Sequence, residues 1–211
     1  MELDNRAYVI DRLREDGRPG MEDLIDTMDE IGFFSAPCSG GNHLCCEFGL
    51  VQHTRNVMTA AENIGYALYG KAEYPKIRNS LMVATALHDL GKCGDFGKAL
   101  YVVNMIKNKK YKKTDPDSGP EYIQSDAKPY ERNKELSPVP HGYRSALIAE
   151  RWIDLSEEEE FAIMYHDGLF EPSNSPVLRG ADLSRHPLLL ILHWADMWSC
   201  NITETKKKED K

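Results

Sequence analysis

The chain has 211 residues, of which 41% are hydrophobic and 28% charged, and its net charge is −8. This composition is typical of a soluble globular protein, and the length is sufficient to bury a core without disulfide or metal staples. An acidic chain lacks the overall positive field of a generic nucleic-acid binder, so a long nucleic acid is not an expected partner. No apolar run approaches the ~18 residues of a membrane span, so no membrane association is expected.

The termini and cysteines indicate a reducing compartment. The N-terminal segment lacks the basic and apolar regions of a signal peptide. The five cysteines are an odd number, and only Cys45 and Cys46 are close together, which argues against a disulfide framework. We therefore expect a cytoplasmic protein.

Hydrophobic periodicity predicts helices in the first half of the chain. Residues 1–35 hold ten carboxylates and four arginines. We predict that they form an acidic helical extension packed on the domain, with an amphipathic helix over about 21–31. Apolar residues at helical spacing then predict helices over about 50–68 and 79–90, and Gly91 ends the second.

The middle of the chain is less regular. Residues 99–106 are apolar and fit either a helix or a strand, whereas 107–140 fit a long polar loop or a small β excursion. Five lysines lie between positions 107 and 113. They form either a solvated loop or a clamp over a polyphosphate.

Helices are predicted again over about 145–152, 161–166 and 187–200. Ser156 and Glu159 have the spacing of a capping box before the second of these. No segment is a convincing strand.

These elements together predict an all-α chain with a single domain. The domain is expected at 36–201, after the extension at 1–35 and before a charged tail at 202–211. The last six residues of that tail are expected to be frayed, solvated surface.

Three polar side chains interrupt the apolar faces of the predicted helices. His53 and His88 face inward, although a lone inward histidine is more often an ordinary core residue. Asp196 lies on the most hydrophobic helix, where an ionised carboxylate costs several kcal/mol unless it is paired or bound to a metal. The alternatives are a divalent cation shared by these three residues and a buried ion pair with a distant arginine or lysine.

Further candidate ligands accompany them. Asp89 directly follows His88, and His141 and His166 occur near helix ends, where side chains can project into a cleft. A set of imidazoles and carboxylates suits Mn, Fe, Co, Ni or Zn, with Mg also open, and the number of ions is one or two.

The ordered pattern of these residues resembles the HD superfamily of metal-dependent phosphohydrolases, whose signature is H…HD…H…H…D. The segments that carry the resemblance are FGLVQHT at His53, ALHDLGK at His88 and Asp89, PHGYRSA at His141, YHDGLF at His166 and LHWADMWS at Asp196. The resemblance implies that 36–201 form an HD phosphohydrolase domain, a helical bundle with a central metal site. It also implies that one metal binds His53, His88, Asp89 and Asp196, and that a second binds His141 and His166, with Asp89 bridging.

The function that the resemblance implies is hydrolysis of a phosphate ester or anhydride of a nucleotide or nucleic acid, by attack of metal-activated water on phosphorus. The acidic composition favours a nucleoside mono- or triphosphate over a long polymer. Asp89 and Lys92 are the expected catalytic residues, and Lys92, Arg144 and Tyr143 are expected to bind the substrate, although a solvated helix-end lysine is an equal alternative for Lys92. By analogy, such small proteins occur in bacteria and phages. The sequence does not decide whether the chain forms a homo-oligomer.

Two other functions fit the same residues. One is a 3′→5′ exonuclease or phosphodiesterase that acts on short single strands, and the other is a non-catalytic metal- or nucleotide-binding regulatory domain. The pattern leaves open whether His43, Asp167 and His193 join the site.

Overall fold

The computed structural model describes residues 2–205, and the predicted frayed tail at 206–211 lies outside the described residues. This part of the chain is mostly helical. Its helices are α1 (Glu2–Asp16), α2 (Met21–Glu30), α3 (Gly49–Leu87), α4 (His141–Ala149), α5 (Glu157–Tyr165), α6 (Ser175–Leu178) and α7 (Pro187–Trp198). No helix among residues 2–205 is both long and apolar enough to cross a membrane.

The N-terminal helices form because each has an apolar stripe to bury. In α2, which matches the predicted amphipathic helix, the buried residues are Met21, Leu24, Ile25 and Met28. α1 buries one face as well and packs on α3.

α3 consists of two helical halves that turn back on each other. His53 and His88 are 35 residues apart, which would be about 52 Å along a straight helix, yet their ring centroids are 5.4 Å apart. The reversal occurs at Gly70, whose φ of 68° lies in the left-handed region. The predicted pair of helices is therefore confirmed, but the second begins near Lys71 and ends at Leu87.

Four short strands correct the expectation that strands are absent, and they fit the alternative of a small β excursion. They are β1 (Tyr101–Val103), β2 (Met105–Lys107), β3 (Tyr122–Gln124) and β4 (Tyr130–Arg132). β1 pairs antiparallel with β4, and β2 pairs antiparallel with β3. The excursion thus begins at Tyr101, before the predicted start at 107, because the apolar run at 99–106 supplies two of its strands.

The later helices keep their predicted order with shifted bounds. α4 begins at His141, four residues before the predicted start, and Pro140 occupies its N-cap position without a capping side-chain hydrogen bond. At α5 the predicted capping box is confirmed, since Glu159 N donates to Ser156 Oγ at 3.2 Å and Ser156 N donates to Glu159 Oε2 at 2.8 Å.

α7 leads into a π-helical turn, Ser199–Thr203. This turn packs against α3. It brings the residue that follows it, Glu204, back to the first half of α3.

Candidate metal centre

Six predicted ligands meet where α3, α4, α5 and α7 converge. We call this set the central cluster: His53, His88, Asp89, His141, His166 and Asp196. His53, His88, Asp89 and His166 are fully buried, whereas the Asp196 side chain is 15% exposed and that of His141 18% exposed. The cluster is therefore enclosed but open at one side.

One half of the central cluster surrounds His53. Its Nε2 atom lies 3.2 Å from Asp196 Oδ1 and 3.3 Å from Asp89 Oδ2. The same atom is 3.3 Å from His88 Nε2. Two imidazole nitrogens and two carboxylate oxygens thus face a common point.

The other half surrounds His141. Its Nε2 atom lies 3.1 Å from Asp89 Oδ1 and 3.2 Å from His166 Nε2. Asp167 Oδ2 is 3.3 Å from the same nitrogen, so Asp167 extends this half. Asp89 therefore turns one carboxylate oxygen towards each pair of histidines.

The other ring nitrogens fix the orientation of the imidazoles. His88 Nδ1 lies 2.7 Å from the Thr85 carbonyl oxygen, and His166 Nδ1 lies 2.8 Å from the carbonyl oxygen of Ile163. A carbonyl oxygen only accepts, so both Nδ1 atoms carry the hydrogen and donate it. The Nε2 atoms of both rings are left to face the centre of the cluster, as in protein metal sites.

The carboxylates of the central cluster favour positive charge on the groups around them. Burial lowers the pKa of His166, but Asp167 and Asp89 together raise it to about 9. Burial likewise lowers the pKa of His53, and the anionic groups around it, Asp196 among them, raise it well above its usual value. His166 and His53 are therefore protonated when no other cation neutralises the carboxylates of the cluster.

The donor atoms fit a divalent transition metal. Both carboxylate oxygens of Asp89 are buried, and the Lys92 ammonium contacts only Oδ2, so Oδ1 is costly to bury unless a further cation or a protonated imidazole faces it. His88 stays neutral, because burial lowers its pKa; since its Nδ1 donates to the Thr85 carbonyl oxygen, its Nε2 carries the lone pair that a metal could accept. Imidazole nitrogen and carboxylate oxygen are ligands of Zn, Mn, Fe, Co and Ni.

Lys92 is a charge partner of this cluster. It lies in a short 3₁₀ turn, Leu90–Cys93, and its Nζ is 2.6 Å from Asp89 Oδ2. Burial alone would raise the pKa of the Asp89 carboxyl, but the ammonium of Lys92 holds it well below its usual value. Asp89 is therefore ionised at neutral pH and available as a ligand.

Gly91 allows α4 to pack directly against this turn. A Cβ atom at Gly91 would lie 2.3 Å from the His141 carbonyl oxygen and 2.8 Å from Arg144 Cβ. Ser145 joins the two segments, since Gly91 N donates to its Oγ at 2.8 Å and that Oγ lies 2.7 Å from the His88 carbonyl oxygen. This close approach places His141 opposite Asp89.

Arg144 and Tyr143 have partners outside the central cluster. Arg144 Nη2 donates to the Ser137 carbonyl oxygen at 2.8 Å, and its Nη1 is 4.0 Å from Asp95 Oδ2. The ring of Tyr143 packs edge-on against Tyr165, with centroids 5.4 Å apart. Both side chains lie on α4 with His141, but the structure brings neither of them into contact with the carboxylates of the cluster.

Glu204 is a site residue that the sequence analysis did not select. Its side chain is 1% exposed, and its Oε1 accepts from His53 Nδ1 at 3.0 Å and from Asn56 Nδ2 at 2.9 Å. Glu204 follows a π turn, so helical periodicity counted from Asp196 does not reach it. No local pattern marks it.

Two histidines that the sequence left open lie beside the site. His193 Nδ1 donates to the His166 carbonyl oxygen at 2.7 Å, which supports the backbone of a candidate ligand. His43 Nε2 lies 3.7 Å from Glu204 Oε2, on the far side of His53.

A cavity of about 330 Å³ adjoins His141. Tyr101 and Arg132, which are register partners in the β1–β4 pair, line it. Glu171 and Ser173 line it from the loop after α5. The β excursion therefore supplies one wall of a cavity beside the central cluster, including a cationic side chain.

Comparison of the chain with protein-family models, with curated proteins and with solved structures finds no match. The buried histidines and aspartates are compatible with an HD-type metal site.

Proposed function

We propose that the chain is an HD-type metal-dependent phosphohydrolase, a helical bundle around a central metal site, and that its substrate is a nucleoside mono- or triphosphate. The observation that carries the proposal is the position of Asp89, which is buried and turns Oδ2 towards His53 and His88 and Oδ1 towards His141 and His166. A carboxylate between two pairs of imidazoles suits a bridging ligand of two neighbouring cations.

The protein's own residues would prepare the site for hydrolysis. A divalent cation held by the central cluster would lower the pKa of bound water and polarise a phosphoryl oxygen. Asp89 would hold that charge in place, because its ionised carboxylate is anchored by Lys92 at 2.6 Å. Glu204 would fix the orientation of His53 through the hydrogen bond to Nδ1.

Lys92 has a second use in this mechanism. Its ammonium is largely buried, with 13% of the side chain exposed, and it contacts the carboxylate oxygen that also faces His53 and His88. With Asp89 neutralised by bound metal, the Lys92 ammonium would be available to a phosphoryl oxygen of the substrate or to the leaving group.

The cavity beside His141 supports a small substrate. A volume of about 330 Å³ is at the lower end of the range for small-molecule sites, which suits one nucleotide better than a polymer. Arg132 would pair with phosphate, since a guanidinium binds phosphate oxygens in a bidentate manner. Tyr101, on the neighbouring strand, offers a ring and a hydroxyl to the rest of the substrate.

The decisive experiment is an activity panel on the metal-depleted full chain. Nucleoside mono- and triphosphates and short oligonucleotides are incubated with Mn²⁺, Co²⁺ or Ni²⁺, and the products are resolved by chromatography. Release of phosphate or pyrophosphate from nucleotides is the expected result. Shortening of the oligonucleotides would instead support the exonuclease alternative, and metal binding without any product would support a regulatory domain.

The matched variants are Asp89→Asn and Asp26→Asn. Asp26 is exposed on α2 and is not part of the central cluster, so its variant is expected to retain metal binding and activity. Asp89→Asn is expected to lose both. Equal activity in the two variants would refute the assignment.

A further inference from the structure

A second group of ligating side chains lies on the far side of His53. The ligand atoms of His43, His53, Cys200 and Glu204 all lie within 4.8 Å of one another. Whereas the central cluster contains nitrogen and oxygen donors, this group adds a thiol. His53 lies between the two groups, since its Nε2 faces the central cluster and its Nδ1 faces Glu204.

His43 is the centre of this second group. Its Nε2 atom lies 3.4 Å from Cys200 Sγ, 3.4 Å from Cys38 Sγ and 3.7 Å from Glu204 Oε2. These donors come from two distant parts of the chain, the loop before α3 and the end of α7.

The separations match those between ligands of one tetrahedral ion. Zinc bonds of about 2.3 Å to sulfur and about 2.0 Å to nitrogen or oxygen imply N···S edges of about 3.5 Å and N···O edges of about 3.3 Å. The three edges from His43 differ from these lengths by a few tenths of an ångström. Side-chain rotation alone accommodates such a difference.

The group is reachable from solvent. A cavity of about 870 Å³ is lined by His43, Cys200 and Glu204, together with Cys45 and Cys46. An ion can therefore enter here without passing through the central cluster. The cavity adjoining His141 has a different lining and lies against the other half of that cluster.

We propose that His43, Cys200 and Glu204, with Cys38 beside them, form a second cation site that adjoins the central cluster, since Cys200 Sγ also lies 3.3 Å from Asp196 Oδ1. Its chemistry selects a borderline or soft ion such as Zn²⁺ over Mn²⁺ or Mg²⁺, because thiolate favours such ions. Glu204 links the two sites, with Oε1 accepting from His53 and Oε2 facing the ion. The proposal goes beyond phosphohydrolase activity and does not depend on it.

The test is Co²⁺ titration of the metal-depleted full chain without oxygen, followed by absorption spectroscopy. Thiolate coordination gives a near-ultraviolet sulfur-to-cobalt charge-transfer band, which nitrogen and oxygen ligands do not give. We expect this band in the wild-type chain and in Asp89→Asn, whose central cluster is impaired. Cys200→Ser is expected to lose the band and one equivalent of bound Co²⁺ while retaining Mn²⁺ binding.

Two further variants keep the test decisive. Cys45→Ser removes a thiol that lines the same cavity but is not in the group, and it is expected to retain the band. His43→Gln removes the central nitrogen and is expected to lower the Co²⁺ affinity, measured from the growth of the band, at least tenfold. This variant tests the site even if Cys200→Ser does not fold. Absence of the band in the wild-type chain, or its persistence in both Cys200→Ser and His43→Gln, would overturn the proposal.

Discussion

Glu204 Oε1 lies 3.0 Å from His53 Nδ1, although 151 residues separate the two. Glu204 lies on the side of His53 that faces away from the central cluster. His53 donates to it from Nδ1, while Nε2 of the same ring faces Asp89 and Asp196. A carboxylate in this position fixes the ring and makes the facing nitrogen a better ligand.

Glu204→Gln is expected to weaken Mn²⁺ binding by about 10–100-fold, the usual cost of losing such a partner. Mn²⁺ is the appropriate probe, since a thiolate-containing site disfavours it. Affinity is measured by competition with a fluorescent chelator. Glu30→Gln, an exposed position on α2, is the control, and equal affinities in the two variants would contradict a role for Glu204 in orienting His53.

The buried pair of Lys92 and Asp89 predicts a stability effect that is separable from metal binding. Asp89→Asn leaves the ammonium of Lys92 without its partner, which typically costs about 3–5 kcal/mol. The double variant Asp89→Asn/Lys92→Met is expected to recover much of this loss in urea unfolding, yet not the rise in stability that added Mn²⁺ gives the wild type. A double variant no more stable than the single one would exclude the pair as the cause.

The ion pair between Arg18 and Glu159 predicts loss of stability in acid. Arg18 Nη2 lies 2.8 Å from Glu159 Oε1, and the carboxylate is 1% exposed. Burial raises the pKa of Glu159, but the hydrogen bond from Arg18 lowers it below its ordinary value. A lowered native pKa means that the stabilisation is complete above the unfolded pKa of about 4.3 and is lost as the pH falls through the native value.

Because Arg18 keeps its ion pair with Asp16, Glu159→Gln is expected to cost about 1–3 kcal/mol of unfolding free energy at pH 7 and to flatten the decline in unfolding free energy between pH 5 and pH 3. Denaturant unfolding at a series of pH values measures both. Glu157→Gln changes an exposed position in the same helix turn. Its unfolding free energy should fall with decreasing pH as steeply as that of the wild type. A wild-type slope in Glu159→Gln would show that other carboxylates dominate.

Arg132 lines the cavity next to His141. If it binds substrate phosphate, Arg132→Gln loses a charge-assisted hydrogen bond of about 1.5–3 kcal/mol, equivalent to a tenfold or greater loss in kcat/KM. Metal content and thermal stability should not change. Steady-state kinetics on the best nucleotide measures the effect, with the exposed Arg185→Gln as control. A loss confined to metal content would point to a structural role.

Gly91→Ala is expected to displace α4, because a Cβ atom there would lie 2.3 Å from the His141 carbonyl oxygen. The displacement moves His141 away from Asp89, so binding of a second metal equivalent should weaken more than binding of the first. Metal stoichiometry measures the loss of the second metal equivalent, and the melting temperature measures the cost of displacing α4. Gly97→Ala is the matched control for stoichiometry, since no atom lies within 4 Å of the added carbon there. Unchanged stoichiometry in Gly91→Ala would show that the close approach does not position His141.

Much of the helical fold could be predicted, because helix formation follows local apolar spacing. α2 and the capping box of α5 match the sequence pattern. The prediction missed β1 and β2, since these are apolar runs whose strand partners lie fifteen or more residues away. The start of α4 was also misplaced, because its first turn carries His141 rather than an apolar stripe.

The sequence by itself determined that His53, His88 and Asp196 face inward, because position on a helix follows from a fixed rotation per residue. It could not determine which inward side chains meet. Asp89 reaches both pairs of histidines only because α3 reverses at Gly70 and α4 packs against Gly91. Glu204 follows a π turn and His43 lies in a loop. The periodicity of an α-helix does not predict side-chain direction in such segments, so only the tertiary structure decided their place.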